Sequence, residues 1–135
     1  AVRYPLEAPA QEGAWVGLSE LTIHDGHAYL IERDNLIGDK AALKSLTRVS
    51  LADMQPAALG SDLPVVRKEL VRDFIPDLKS QTNGYVVDKV EGFAIDAEGY
   101  GFVVTDNDGV DDSSGETLFF EIGRMDEQSA PLSAQ

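Results

Sequence analysis

Residues 89–112, KVEGFAIDAEGYGFVVTDNDGVDD, decide the fold of this chain. They read strand, turn, strand, acidic loop. Val90, Phe93 and Ile95 form one apolar run, and Phe102, Val103 and Val104 form a second. Residues 96–99 carry Asp and Gly, which tolerate turn dihedrals, and supply the reversal between the runs. The second run ends in Thr105-Asp106-Asn107-Asp108-Gly109, a dense set of oxygen ligands on one short loop.

The same pattern occurs 72 positions upstream without a gap. Residues 18–35, LSELTIHDGHAYLIERDN, lie over residues 90–107, VEGFAIDAEGYGFVVTDN. Leu18 falls on Val90, Leu21 on Phe93, Ile23 on Ile95 and Leu30 on Phe102. Asp34-Asn35 falls on Asp106-Asn107, and residues 46–51 fall on residues 118–123. An apolar pattern kept over two strands and recovered on a third indicates a repeated structural unit.

Working outward, residues 2–7 read as a short strand with Pro5 at an edge or bulge. Residues 17–24 and 27–32 form a hairpin around Asp25-Gly26. A helical turn is expected near residues 39–43, and residues 44–51 alternate as a third strand. A Pro- and Gly-bearing connection over residues 52–64, with a helical turn at its start, leads to a fourth strand at residues 65–71. Residues 73–80 can close one helical turn, which Pro76 limits. A third strand of the second unit spans residues 117–122, and residues 126–135 read as a frayed tail.

The chain is therefore expected to be all-β, with antiparallel sheets forming about two blades of a β-propeller. The expected divisions are residues 1–16 (strand and loop), 17–80 (first blade), 81–125 (a second, incomplete blade) and 126–135 (tail). A repeat of 72 is long for a blade, which usually runs about 40–45 residues, and the excess sits in the connections. A β-sandwich is the alternative, since it also needs about seven short strands.

Composition bounds the function. The 135 residues make one ordinary domain, and 43% apolar content is that of a globular chain. With 24 acids against 11 bases the net charge is −13. That sign argues against nucleic acid, because few cations are present to displace phosphate counterions. It suits a cation site or a soluble surface. There is no Cys, which excludes disulfides. No apolar run approaches the ~20 residues of a membrane span, so no membrane association is expected. Residues 1–10 lack the basic start and apolar core of a secretory leader, and the sequence opens on Ala1 instead of Met, as a processed or excised segment does.

Three phrases carry a family resemblance. LIERDN at residues 30–35 follows a strand, VEGFAI at residues 90–95 opens the next unit, and TDNDG at residues 105–109 closes its second strand. With LTRVSL at residues 46–51, this order resembles the phytase-like family to which esterase-like activity is attributed, a family of bacterial, often exported β-propellers. The Glu-Gly, hairpin and acidic-loop order is also similar to β-propeller phytases, whose carboxylates hold calcium. The resemblance covers most of residues 17–123 and fits the C-terminal portion of such a propeller. It implies hydrolysis of phosphate or carboxylic esters, and a periplasmic or extracellular location.

The candidate chemistry follows from the acids. Asp106, Asn107, Asp108, Asp111 and Asp112 offer hard oxygen ligands at the close spacing that Ca²⁺ needs, though not in an EF-hand order. Their bland reading is a solvated turn with Asx-type hydrogen bonds. Glu91 precedes the hairpin and can reach the same blade edge. In a strand Glu32 and Asp34 face one way and Arg33 the other, so the two acids suit a metal and Arg33 an oxyanion. The bland alternative is local charge pairing. The metal set expected here is Glu32, Asp34, Glu91, Asp106 and Asp108, with Arg33 on the substrate. His24 and His27 are too few for zinc and read as hairpin-tip residues. No serine sits in G-x-S-x-G, so a Ser–His–Asp hydrolase has no support. Trp15 reads as a residue packed over a blade edge.

Two functions remain open: metal-assisted ester or phosphoester hydrolysis, and a non-catalytic binding or scaffold propeller in which the acids only staple loops. Two blades cannot close a ring, so the isolated chain is expected to self-associate, with residues 2–7 exchanged into a neighbour, and to lack esterase activity alone.

Overall fold

A computed structural model describes residues 1–107 and 117–128. The chain forms two antiparallel sheets. The first has β1 (Val16–His24), β2 (His27–Asp34), β3 (Lys44–Ser50) and β4 (Lys68–Asp73), paired in that order. A short helix, α1 (Ile75–Gln81), leads to the second sheet, β5 (Val90–Ile95), β6 (Tyr100–Thr105) and β7 (Phe119–Arg124). Both sheets are meanders, so the expected all-β repeat of hairpin plus strand is present.

The repeat extends to an irregularity. In the first hairpin Leu18 pairs with Glu32 and Glu20 with Ile31, leaving Ser19 as the extra residue of a β-bulge. In the second, Val90 pairs with Thr105 and Gly92 with Val104, leaving Glu91 extra. Ser19 and Glu91 are the same position of the 72-residue repeat.

The overlay then slips by one. His24 pairs with His27, so Asp25-Gly26 is a two-residue loop, and both residues have positive φ (46° and 76°) as a type I′ turn requires. The second turn is one residue longer. The Asp96 amide donates to the Tyr100 carbonyl at 2.9 Å, and Gly99 takes φ 90°. Asp96 Oδ1 accepts from the Glu98 and Tyr100 amides, holding the turn. From β6 onward the structural offset is therefore 73: Leu30 corresponds to Val103, not to Phe102 as the ungapped overlay placed it. A one-residue slip exchanges the two faces of a strand.

The sheets pack front to back. Tyr29, Ile31 and Leu46 of the first sheet bury against Val90, Phe93, Val103, Phe120 and Ile122 of the second, with Phe74 and Leu78 closing one end. By register, the first-sheet counterparts of Phe93, Val103 and Phe120 are Leu21, Leu30 and Thr47, which lie on the opposite face. Equivalent strands thus use opposite faces in the joint. Such a repeat is compatible with successive propeller blades, and the two packed antiparallel sheets are compatible with a sandwich as well. Polar contacts suture β1 to β5: Ser19 Oγ donates to the Val90 carbonyl at 2.6 Å and Thr22 Oγ1 to the Phe93 carbonyl at 2.8 Å.

The back of the first sheet is covered by the N-terminal segment. Val2 and Tyr4 pack on Ala28, Leu30, Val49 and Val66. Residues 2–7 do not form the expected strand, because only Arg3 bridges, in parallel, to Val65. Pro5 has no amide hydrogen with which to extend that ladder. Strand β4 starts at Lys68 instead of Val65, and β7 starts at Phe119 instead of Thr117. Pro76 stands in the first turn of α1, where its missing N–H costs nothing, so it opens the helix more than it limits it. The helical turns expected in the connections are short 3-10 segments at Gly38–Lys40 and Leu51–Asp53. In the expected tail, Met125–Glu127 is a 3-10 turn and Gln128 donates to the Ile122 and Arg124 carbonyls. No helix among the described residues is long and apolar enough to cross a membrane.

Candidate functional site

Glu32, Arg33 and Asp34 end β2, the strand buried on both faces. Alternation sends Glu32 to the back of the sheet and Arg33 into the joint. Glu32 has no solvent exposure. Its Oε1 accepts from Tyr4 Oη at 2.7 Å and from Lys68 Nζ at 2.8 Å, and its Oε2 accepts from the Glu7 amide at 2.7 Å. Lys68 also reaches Glu7 Oε2 at 2.6 Å and lies over the Tyr4 ring. Burial, reinforced by the Glu32 charge, pushes the Tyr4 hydroxyl well above the usual phenol range. For Lys68, burial lowers the pKa, but hydrogen bonds to Glu32 and Glu7 outweigh it and hold the pKa above the usual value.

Arg33 faces the second sheet. Its Nη2 donates to Glu91 Oε1 at 2.5 Å and its Nη1 to Asp88 Oδ1 at 3.3 Å. Trp15 covers the guanidinium, whose carbon is 5.0 Å from the ring centroid. Trp15 is itself held, its amide donating to Asn35 Oδ1 at 2.9 Å. The expected packing of Trp15 over a blade edge takes the form of this cation–π contact.

Asp34 is also shielded from water. Its Oδ1 accepts from the Leu36 amide at 3.2 Å, and its Oδ2 from the Ala42 and Leu43 amides at 2.8 and 2.9 Å. Lys44 Nζ sits 2.9 Å from the same Oδ1 and donates to the Asp34 and Asp88 carbonyls at 2.8 and 2.9 Å. Burial lowers the Lys44 pKa, outweighing the attraction of Asp34 and Asp88.

The expected set is thus divided in space. Glu32, Asp34 and Glu91 are each held by a different cation: Lys68, Lys44 and Arg33. Among the described residues no three His, Asp or Glu side chains converge as a metal cage. Asp106 is exposed just past β6, its amide donating to the Lys89 carbonyl at 2.8 Å. Asp108, with Asp111 and Asp112, lies outside the described residues. At the structural offset of 73, Asp106 corresponds to Arg33, so the apparent repeat of acidic strand ends is one residue out of step.

Tyr4, Lys44, Lys68 and Asp88 carry this network, and none was singled out from sequence. Lys44 shares strand parity with Leu46, but Val49 and Leu51 have the other parity, so alternation did not mark Lys44 as buried. Lys68 and Asp88 had no legible signal, because their partners lie 36 and 55 residues away. Chemically, the network is a pair of electrostatic staples. One pins the N-terminal segment to the first sheet, and the other pins the first sheet to the second.

The family described as "Phytase-like: Esterase-like activity of phytase" matches residues 1–109, a span that includes β1–β6. No curated protein and no solved structure matches the chain.

Proposed function

The chain belongs to the phytase-like family with esterase-like activity, and from that premise we propose that it supplies two blades of a propeller hydrolase acting on phosphate or carboxylic esters with metal assistance. A hard cation such as Ca²⁺, when bound, offsets substrate charge and polarises the scissile group. Since Glu32, Asp34 and Glu91 are engaged by protein cations, the ion is assigned to Asp106 and Asp108, where a carboxylate is a strong hard ligand. Arg33 meets a substrate oxyanion only by exchanging Asp88 or Glu91 for it. The observation that carries the reading is the family match over residues 1–109, which takes in β1–β6. Export to the periplasm or beyond belongs to the same reading, and cell fractionation checks it.

Two measurements test this. Calorimetric Ca²⁺ titration of the chain is expected to show binding that Asp106→Ala and Asp108→Ala each weaken; unchanged binding by the double variant removes the ion site. Hydrolysis of a panel of aryl phosphates and carboxylic esters, by a polypeptide that completes the ring, is expected to depend on the metal and to be lost with chelator. Two blades alone are expected to be inactive, because a site on the propeller axis draws on further blades.

A second reading is favoured by the pairing of Glu32, Asp34 and Glu91 with protein cations: a non-catalytic scaffold propeller. Arg33→Met separates the two. An enzyme loses kcat/KM on anionic esters beyond any change in stability, whereas a scaffold loses stability alone.

A further inference from the structure

The joint between the two sheets has two half-sites, and the repeat supplies each of them twice. The leading half is Val90, Phe93 and Ile95 on β5, with Val103 behind them; Val90, Phe93 and Val103 are buried and Ile95 packs against them. Its counterpart on β1 is Leu18, Leu21 and Ile23, exposed by 43%, 53% and 56%. The trailing half is Tyr29, Ile31 and Leu46, also buried. At the offset of 73 its counterpart is Phe102, Val104 and Phe119. Phe102 and Phe119 stack with ring centroids 5.7 Å apart, and Phe119 is 69% exposed. One copy of each half-site makes the observed joint; of the second copies, the β1 strip Leu18, Leu21 and Ile23 and the ring of Phe119 are open to solvent, while Leu30, the counterpart of Val103, lies under Val2 and Tyr4.

We propose that these two unused half-sites bind each other between copies of this chain, head to tail, repeating the internal joint. The occupant is named by the interface already present, since the surface that covers Tyr29 and Leu46 is of the kind that β1 presents in a second copy. Charge favours the same pairing. Glu121 pairs with Phe102 in register on the trailing face, while Arg3 and Arg67 lie exposed on the segment flanking the leading face. Exchange of residues 2–7 is not required, because that segment is bonded within its own chain through Tyr4, Glu7 and Arg3. A head-to-tail contact either closes into a ring or runs on as a filament. Propellers close with 4–8 blades, so two sheets per copy give a ring of about two to four copies. The proposal rests on the register of the repeat and concerns these 135 residues by themselves; in the hydrolase reading, the blades that complete the ring take the same two half-sites.

Complementary variants test it. Sedimentation of the wild-type chain is expected to show discrete, concentration-dependent oligomers. Phe119→Asp and Leu21→Asp each spoil one half-site and are expected to weaken self-association by about tenfold or more, the effect of losing a central apolar contact. Mixing the two variants leaves one intact pair of half-sites, so a one-to-one dimer that grows no further is expected. The observed Tyr29–Phe93 contact, 5.9 Å between centroids, predicts that Phe102 of one copy meets Leu21 of the next. The chain has no cysteine, so Leu21→Cys and Phe102→Cys variants, mixed and oxidised, are expected to form a cross-linked pair. Circular dichroism establishes that each variant is folded, and the wild-type mass needs no variant. A monomeric wild type overturns the proposal, as does a mixture that forms no dimer. Loss of association in Phe119→Asp but not in Leu21→Asp also overturns it, in favour of a symmetric face-to-face contact.

Discussion

Lys44 Nζ and Asp34 Oδ1 lie 2.9 Å apart with both side chains fully shielded from water. The ammonium also holds the carbonyls of Asp34 and Asp88, so one lysine joins β2, β3 and the segment entering β5. Losing one partner of a buried pair leaves the other charge uncompensated, at a cost of about 3–5 kcal/mol. Lys44→Met is therefore expected to lower stability by that amount in urea unfolding. Asp34→Asn combined with Lys44→Met is expected to cost less than the sum of the single changes, because no unpaired charge remains. The pH sign is fixed by the lowered folded-state pKa. Between that value and the ordinary 10.5 the unfolded chain binds more protons, so this group makes stability rise with pH. Lys44→Met is expected to lose that rise.

Tyr4 titrates in the opposite sense. Its pKa is raised in the fold, so above about pH 10 the unfolded phenol loses its proton while the folded one keeps it. Stability therefore falls as pH rises through that range. Lys68 adds to the fall, since its raised pKa gives stability that is complete below 10.5 and lost above it. Tyr4→Phe is expected to cost about 1–3 kcal/mol at neutral pH, by depriving buried Glu32 of a donor, and to flatten the alkaline loss. Thermal unfolding monitored from pH 7 to 11 measures both.

Arg33→Lys keeps the charge but loses the planar fork that spans Asp88 and Glu91. Both carboxylates can rehydrate, so the loss is expected to fall below the ~3–5 kcal/mol of a fully buried pair. Trp15 loses the guanidinium over its ring, so its fluorescence should change in parallel. A variant with unaltered Trp15 emission and unaltered stability would mean that Arg33 does not bind the sheets together.

Two glycines separate the faces of the second sheet. A Cβ at Gly101 would lie 2.7 Å from Met125 Sδ, 3.0 Å from Ile122 Cγ1 and 3.1 Å from Phe93 Cε1, all in the packed core. A Cβ at Gly92 would lie 2.4 Å from Val104 Cγ1, on the face open to solvent. Overpacking a core costs about 1–3 kcal/mol. Gly101→Ala is expected to reach that range without simple rescue. Gly92→Ala is expected to be relieved by Val104→Ala, because one side chain accounts for the close contact. Urea midpoints of the three variants check the contrast.

The sequence by itself determined the architecture: two units of hairpin plus strand and their turns. Those features are local, since alternation with period two and Asp-Gly turns act within a few residues. The all-β fold class, the repeat of hairpin plus strand and the phytase-like family were legible for that reason. Tertiary structure alone decided which residues face which partner. The three-residue turn after Asp96 shifts β6 by one, so Val103 instead of Phe102 enters the joint, and alternation cannot register a slip that leaves both neighbours apolar. Tertiary structure also decided the state of Glu32, Arg33 and Asp34. Lys68 and Asp88 arrive from 36 and 55 residues away, and Lys44 turns inward from a strand whose alternation alone does not say which face is covered. A charge has one appearance in a sequence, whether it waits for an ion or is already paired. The difference is made by the low-dielectric joint between the sheets, which exists only once they have packed.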